Sequence, residues 1–141
     1  MGLDAVVYRD KAHLELGADE EAAIVAPETG EVYFESDALA RKYSEQGRAV
    51  ARRISNIAAI SELREEVSRL IGSSSFTITK ILYSGSHCED TIALESLPAL
   101  SAELAQLRGT AKQSAELHQF VDSFEELVRA AKAERNPIVF V

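Results

Sequence analysis

The sequence predicts an α+β fold: residues 1–141 as a single domain, with one small mixed sheet, an N-terminal hairpin and about four helices packed on it. Three observations point there. Five short apolar runs (residues 3–8, 22–26, 31–35, 76–83 and 138–141) are rich in β-branched or aromatic side chains, the mark of strands. Between them, apolar residues recur every three to four positions, the period of a helix with one buried face. A chain of 141 residues is long enough to bury one good core without metals or disulfides.

The elements follow in order. Leu3-Asp4-Ala5-Val6-Val7-Tyr8 reads as an interior strand, and Arg9-Asp10-Lys11 breaks it. His13-Leu14-Glu15-Leu16 alternates as a brief edge strand would, and Gly17 closes it. Pro27-Glu28-Thr29-Gly30 is a turn, because Pro presets φ and Gly permits positive φ, so the runs on either side form a hairpin. Ser36-Asp37 then supplies an N-cap for a short helix in which Leu39, Ala40 and Tyr43 share a face; it stops near Gly47. A longer helix is predicted from about residue 49 to 71. Its apolar positions Val50, Ile54, Ile57, Ile60, Leu63, Val67 and Leu70 are spaced 4, 3, 3, 3, 4, 3, and Gly72 with three serines ends it.

Residues 76–83 read as a strand that feeds a polar loop. After the loop, Leu97, Leu100, Leu104 and Leu107 mark a helix with Pro98 in its first turn and Gly109 at its close. Thr110 and Gln113 have the spacing of a capping box ahead of an amphipathic helix carrying Leu117, Phe120, Val121, Phe124, Leu127, Val128 and Ala131. Asn136-Pro137 stops that helix, and residues 138–141 form a last strand.

Composition narrows the function classes. The apolar share of 46% and charged share of 27% are those of an ordinary globular protein. Cys88 is the only cysteine and has no internal disulfide partner, which fits a reducing cytoplasm. No apolar run approaches the ~20 residues of a membrane helix, and Met1-Gly2-Leu3-Asp4 lacks the basic start of a signal peptide. The myristoylation pattern wants Ser or Thr where Val6 stands. A soluble cytoplasmic protein without membrane contact is therefore expected. Net charge is −8, and residues 1–36 hold nine acids against Arg9 and Lys11. Such an acidic segment repels phosphate and argues against nucleic-acid binding, while it would suit a basic protein partner. On charge alone, solubility is the simpler reading.

Chemistry, if there is any, concentrates in residues 80–100, which hold Cys88, one of three histidines and two adjacent acids. A cysteine phosphatase needs His-Cys-x5-Arg, but Leu94 stands at the arginine position and Glu89 and Asp90 would oppose a phosphate dianion. In a Cys-His dyad, adjacent His87 and Cys88 point different ways on an extended chain, so His13 or His118 would have to serve. Ser84-Gly85-Ser86 is not the Gly-x-Ser-x-Gly of a nucleophile elbow, and no Walker loop follows Gly85. His87, Cys88, Glu89 and Asp90 offer N, S and O donors to a metal, with His13 or His118 to complete a set. Four contiguous ligands rarely converge on one ion, however, and no Cys-x2-Cys or His-x3-His spacing supports them.

No catalytic, cofactor or metal residue is therefore assigned, and no cofactor is expected. The alternative is a small metal- or thiol-dependent enzyme using His87, Cys88 and Asp90. On the structural reading Cys88 is a small buried residue. His87 and Asp90 then tie the loop together, with Asp90 accepting loop N–H groups near the start of the next helix. Arg41, Lys42, Arg48, Arg52 and Arg53 form a basic cluster, read as a solvated face or as partners of the acidic first quarter. Tyr33, Phe34 and Tyr43 read as core and rim, and His118 as exposed.

Three segments carry a resemblance: Gly2-Leu3-Asp4-Ala5-Val6-Val7-Tyr8, Tyr83-Ser84-Gly85-Ser86-His87-Cys88-Glu89-Asp90-Thr91-Ile92, and Asn136-Pro137-Ile138-Val139-Phe140. In this order the chain resembles a set of small uncharacterised bacterial proteins, some of which look like immunity proteins of polymorphic toxin systems. The resemblance implies a single-domain cytoplasmic protein that neutralises a toxin by binding it. It transfers no functional residue.

Overall fold

The computed structural model describes residues 2–87, 90–110 and 112–141. Strand β1 (Gly2–Tyr8) leads into an excursion that holds the short strands β2 (Ile24–Val25) and β3 (Val32–Tyr33) and helix α1 (Asp37–Tyr43). The chain returns as β4 (Arg48–Asn56) and continues through α2 (Ile57–Ile71), β5 (Thr91–Ile92), α3 (Leu97–Arg108), α4 (Ala115–Glu134) and β6 (Ile138–Phe140). The fold is α+β, as the alternating patterns predict. Among the described residues no helix is long and apolar enough to cross a membrane.

The main sheet has strand order β4-β1-β6-β5, and every neighbouring pair is antiparallel. The expected mixed sheet is thus corrected. A parallel pair needs a crossover that returns a strand in the same direction, and here each connection brings the chain back reversed. The predicted hairpin is present, but β2 and β3 form a separate two-stranded sheet. Leu3, Ala5 and Val7 of β1 face α2, α3 and α4 in the main core, whereas Val6 and Tyr8 meet Val139 on the other face. Within the excursion, Leu14, Leu16, Ala23, Phe34 and Tyr43 make a second, smaller core.

Residues 49–71 are not one helix. β4 occupies the first part, paired with β1 from Gly2↔Asn56 to Tyr8↔Arg48, and α2 begins only at Ile57. A spacing of four, such as Val50 to Ile54, suits a helix face and a strand face alike, so the pattern alone does not separate them. Asn56 marks the change by accepting the Ala59 N–H at 2.8 Å. Residues 13–16 are not a strand either. A 3-10 turn spans Lys11–His13, capped by Asp10, whose carboxylate accepts the Ala12 N–H at 3.0 Å. Leu14 and Leu16 are nevertheless buried, as their alternation implies.

Residues 76–83, expected as a strand, wind instead into a helical turn over Thr77–Ile81. The cause lies far along the chain. The Glu103 carboxylate of α3 accepts the Phe76 and Thr77 N–H groups, each at 2.8 Å, and the Thr77 hydroxyl at 2.7 Å. It satisfies the free donors at the start of the turn and adds favourable negative charge there. Replacing Glu103 by Ala strands these partly buried donors, a loss of about 1–3 kcal/mol. Urea unfolding should show this as a lower midpoint with an unchanged slope. Thr110 and Gln113 also act differently from the expected capping box. Thr110 Oγ1 and Gln113 Nε2 both donate to the Leu107 carbonyl and close α3, while Ser114 caps α4 through Leu117 N–H at 3.1 Å.

The far end of α4 clamps the excursion. Glu134 Oε2 accepts the Asp10 N–H at 2.8 Å and pairs with His13 Nδ1 at 2.5 Å. Asn136 Nδ2 donates to the Tyr8 carbonyl at 2.9 Å, and Gly30 of the hairpin turn lies directly against the Asn136 side chain.

Candidate functional site

The loop after the Thr77–Ile81 turn gathers around Tyr83. The His87 ring tilts over the Tyr83 ring at 4.0 Å between centroids and meets Phe140 edge-on at 5.6 Å. It is 8% exposed, and its Nε2 is buried without a hydrogen-bond partner among the described residues. The Asp90 carboxylate, on the exposed side, accepts the Tyr83 hydroxyl. Asp90 N–H donates to the His87 carbonyl, and Phe140 N–H donates to the Asp90 carbonyl, each at 2.9 Å. The loop is therefore stitched to β6 through its backbone.

This geometry corrects the role expected of Asp90. Among the described residues its carboxylate holds the Tyr83 phenol and no loop N–H group, and β5 and a 3-10 turn separate it from α3. The structure does bring His87 and Asp90 together, through Tyr83. Cys88, the third residue of the alternative enzyme reading, lies outside the described residues, as does Glu89. The other histidines have their own partners: His13 pairs with Glu134, and exposed His118 with Asp122 at 3.4 Å. Among the described residues no cluster of three or more His, Cys, Asp or Glu is placed to hold a metal.

The bond to Asp90 raises the Tyr83 phenol from its ordinary 10.0 to about 12, with burial and the carboxylate charge adding to the effect. Because the folded value is raised, the stabilisation from this contact is present below about pH 10. It is lost as pH rises through about 12. In an ultraviolet titration one tyrosine should ionise at about 12, and Asp90→Asn should bring it back towards 10.0. An unchanged titration would mean that Asp90 does not govern the phenol.

Most of the basic cluster is paired. Lys42 meets Asp19 at 2.9 Å, Arg53 meets Asp4 at 3.0 Å, and Arg52 meets Glu126 of α4 at 2.6 Å. Lys42 and then the Tyr43 hydroxyl hold the Asp19 carboxyl below its ordinary range. Phe34 and Tyr43 are buried and stack at 5.0 Å, whereas Tyr33 is 46% exposed, so the aromatic trio divides into core and rim as expected.

Two surface features arise from contacts that no local pattern announces. On the hairpin, Val25 and Tyr33 stand exposed in a segment whose Glu20, Glu21, Glu28, Glu31 and Glu35 are exposed as well. Between the hairpin and the Tyr8 end of the main sheet opens a cleft of about 550 Å³, walled by Tyr8, Tyr33, Phe34 and Tyr43. Glu31, Glu45 and Arg48 line it too. The sequence reads Tyr33 as core or rim and Arg48 as part of a solvated face, and their meeting in one cleft depends on how the excursion folds back. No protein-family model matches the chain, and comparisons with curated proteins and with solved structures likewise return no match.

Proposed function

We propose that the chain is a non-enzymatic protein-binding module of the immunity or antitoxin type, neutralising a partner protein by docking on it. One observation carries this reading. The β2–β3 hairpin stands apart from the main sheet and exposes Val25 and Tyr33 within the acidic excursion. An exposed tyrosine in an acidic segment suits a basic partner: the ring supplies a desolvated anchor, and the carboxylates steer the encounter. Steering of this kind weakens as salt rises.

The test is co-expression with a toxin encoded beside the gene. The parent chain should protect the cells, and Tyr33→Ala, which removes an exposed side chain, should lose protection without losing its melting temperature. Cells that die despite abundant folded parent chain would refute the proposal.

A small metal- or thiol-dependent enzyme using His87, Cys88 and Asp90 is the alternative, and the observation in its favour is the buried His87 Nε2, which has no hydrogen-bond partner among the described residues. Metal analysis of protein purified without a histidine tag, together with a thiol reagent on folded protein, separates the two readings. Bound metal or a fast-reacting Cys88 would favour the enzyme.

A further inference from the structure

The cleft between the hairpin and the Tyr8 end of the sheet has the size of a small-ligand site, within the roughly 300–1,000 Å³ range of such pockets. Its walls are aromatic. The Tyr43 hydroxyl is already engaged by Asp19 at 2.7 Å and the Leu16 carbonyl at 3.2 Å, and its ring stacks on Phe34. Tyr33 adds a ring that is 46% exposed. The charges are of both signs and unspent. Arg52, Arg53 and Lys42 each hold a carboxylate, but neither Arg48 nor the acids Glu31 and Glu45 form a side-chain ion pair or hydrogen bond among the described residues. Burial and then the Glu31 carboxylate push the Tyr8 phenol up, while Arg48 pulls it down, so both charges are felt at one hydroxyl.

These charges select the ligand. An organic cation alone would meet Arg48, and an organic anion or phosphate would meet Glu31 and Glu45. A molecule carrying an ammonium and a carboxylate on one carbon satisfies both signs, and a flat side chain gains from the aromatic walls. We infer that this cleft binds an aromatic amino-acid zwitterion, its ammonium on Glu31, its carboxylate on Arg48, and its ring against Tyr33. The site needs no partner chain, although it shares Tyr33 with the docking proposal, and the ligand titration tests it apart from docking.

The test is a titration of the full chain with L-tryptophan, followed through the amide and aromatic resonances of Tyr8, Tyr33 and Phe34. Saturable shifts are expected. Tryptamine, which lacks the carboxylate, and indole-3-propionate, which lacks the ammonium, should each bind roughly tenfold or more weakly. Glycine, without the ring, should give no shift. Arg48→Gln should weaken tryptophan by a similar factor while leaving tryptamine unchanged, and Glu31→Gln should weaken tryptophan while sparing indole-3-propionate. Both side chains are exposed, so an unchanged melting temperature shows that the fold is intact. Absence of saturable shifts with tryptophan overturns the inference. Tryptamine binding as tightly as tryptophan overturns it too, and would make the cleft a receptor for a cationic side chain.

Discussion

Removing residues 138–141 is expected to abolish cooperative unfolding. β6 lies inside the sheet, with β1 on one side and β5 on the other, so its loss unpairs both neighbours. Ile138, Val139 and Phe140 are 0%, 3% and 1% exposed. Burying each such side chain contributes roughly 1.5–3 kcal/mol, and three together approach the whole stability of a domain, about 5–15 kcal/mol. The Phe140 ring also closes over Phe124 at 6.4 Å and over His87, and its N–H holds the Asp90 carbonyl. The central loop should therefore loosen with the strand. Circular dichroism on heating should show a shallow, non-cooperative change, with a dye for exposed apolar surface binding at room temperature. Deleting Val141 alone is the control. It is 49% exposed and its N–H donates to the Asp4 carbonyl, so about 1 kcal/mol is at stake. A truncation at 137 that melts like the parent would contradict the placement of β6.

What the sequence discloses follows the range of the forces involved. The leucine stripe of α3, the seven apolar positions of α4, the Ser36 cap and the turn at 27–30 are each decided by near neighbours, and all are found where the pattern puts them. Residues 48–56 and 76–83 escape for opposite reasons. The first run has a helix-compatible spacing but is captured as a strand by β1. The second has β-branched residues but is captured as a helical turn by Glu103, 26 residues from Thr77. In both, a tertiary partner outweighs a preference of a few tenths of a kcal/mol per residue. The same holds for the candidate sites. His87 and Asp90 are near each other in the chain and legible as a pair, but Tyr83 as their common partner is not, because its run has the pattern of a strand end. The cleft was less legible still, because Tyr8, Glu31, Tyr33 and Arg48 come from two strands and an excursion that only the fold superimposes.

The second large effect is expected at Gly30, where the hairpin is fastened to the rest of the domain. Gly30 has φ +76, and a Cβ there would collide with Asn136 Oδ1. Two separate losses follow from Gly30→Ala. Left-handed backbone with a side chain costs about 1–2 kcal/mol. Relief of the collision must move Asn136, whose Nδ2 holds the Tyr8 carbonyl at 2.9 Å, and freeing a partly buried carbonyl costs a further 1–3 kcal/mol or so. Gly17 separates these contributions, because it also has positive φ, +53, but nothing lies within 4 Å of its would-be Cβ. Gly17→Ala should therefore show only the backbone cost, and Gly30→Ala clearly more. Chemical denaturation of both variants measures the difference. The cleft gives a second readout, since Glu31 and Tyr33 follow Gly30 directly and line its wall. If the hairpin is held by the Gly30–Asn136 contact, Gly30→Ala should shift the Tyr8 and Tyr33 resonances while Gly17→Ala leaves them in place. Equal destabilisation by the two variants, with neither set of resonances moved, would show that the hairpin is not fastened at Asn136.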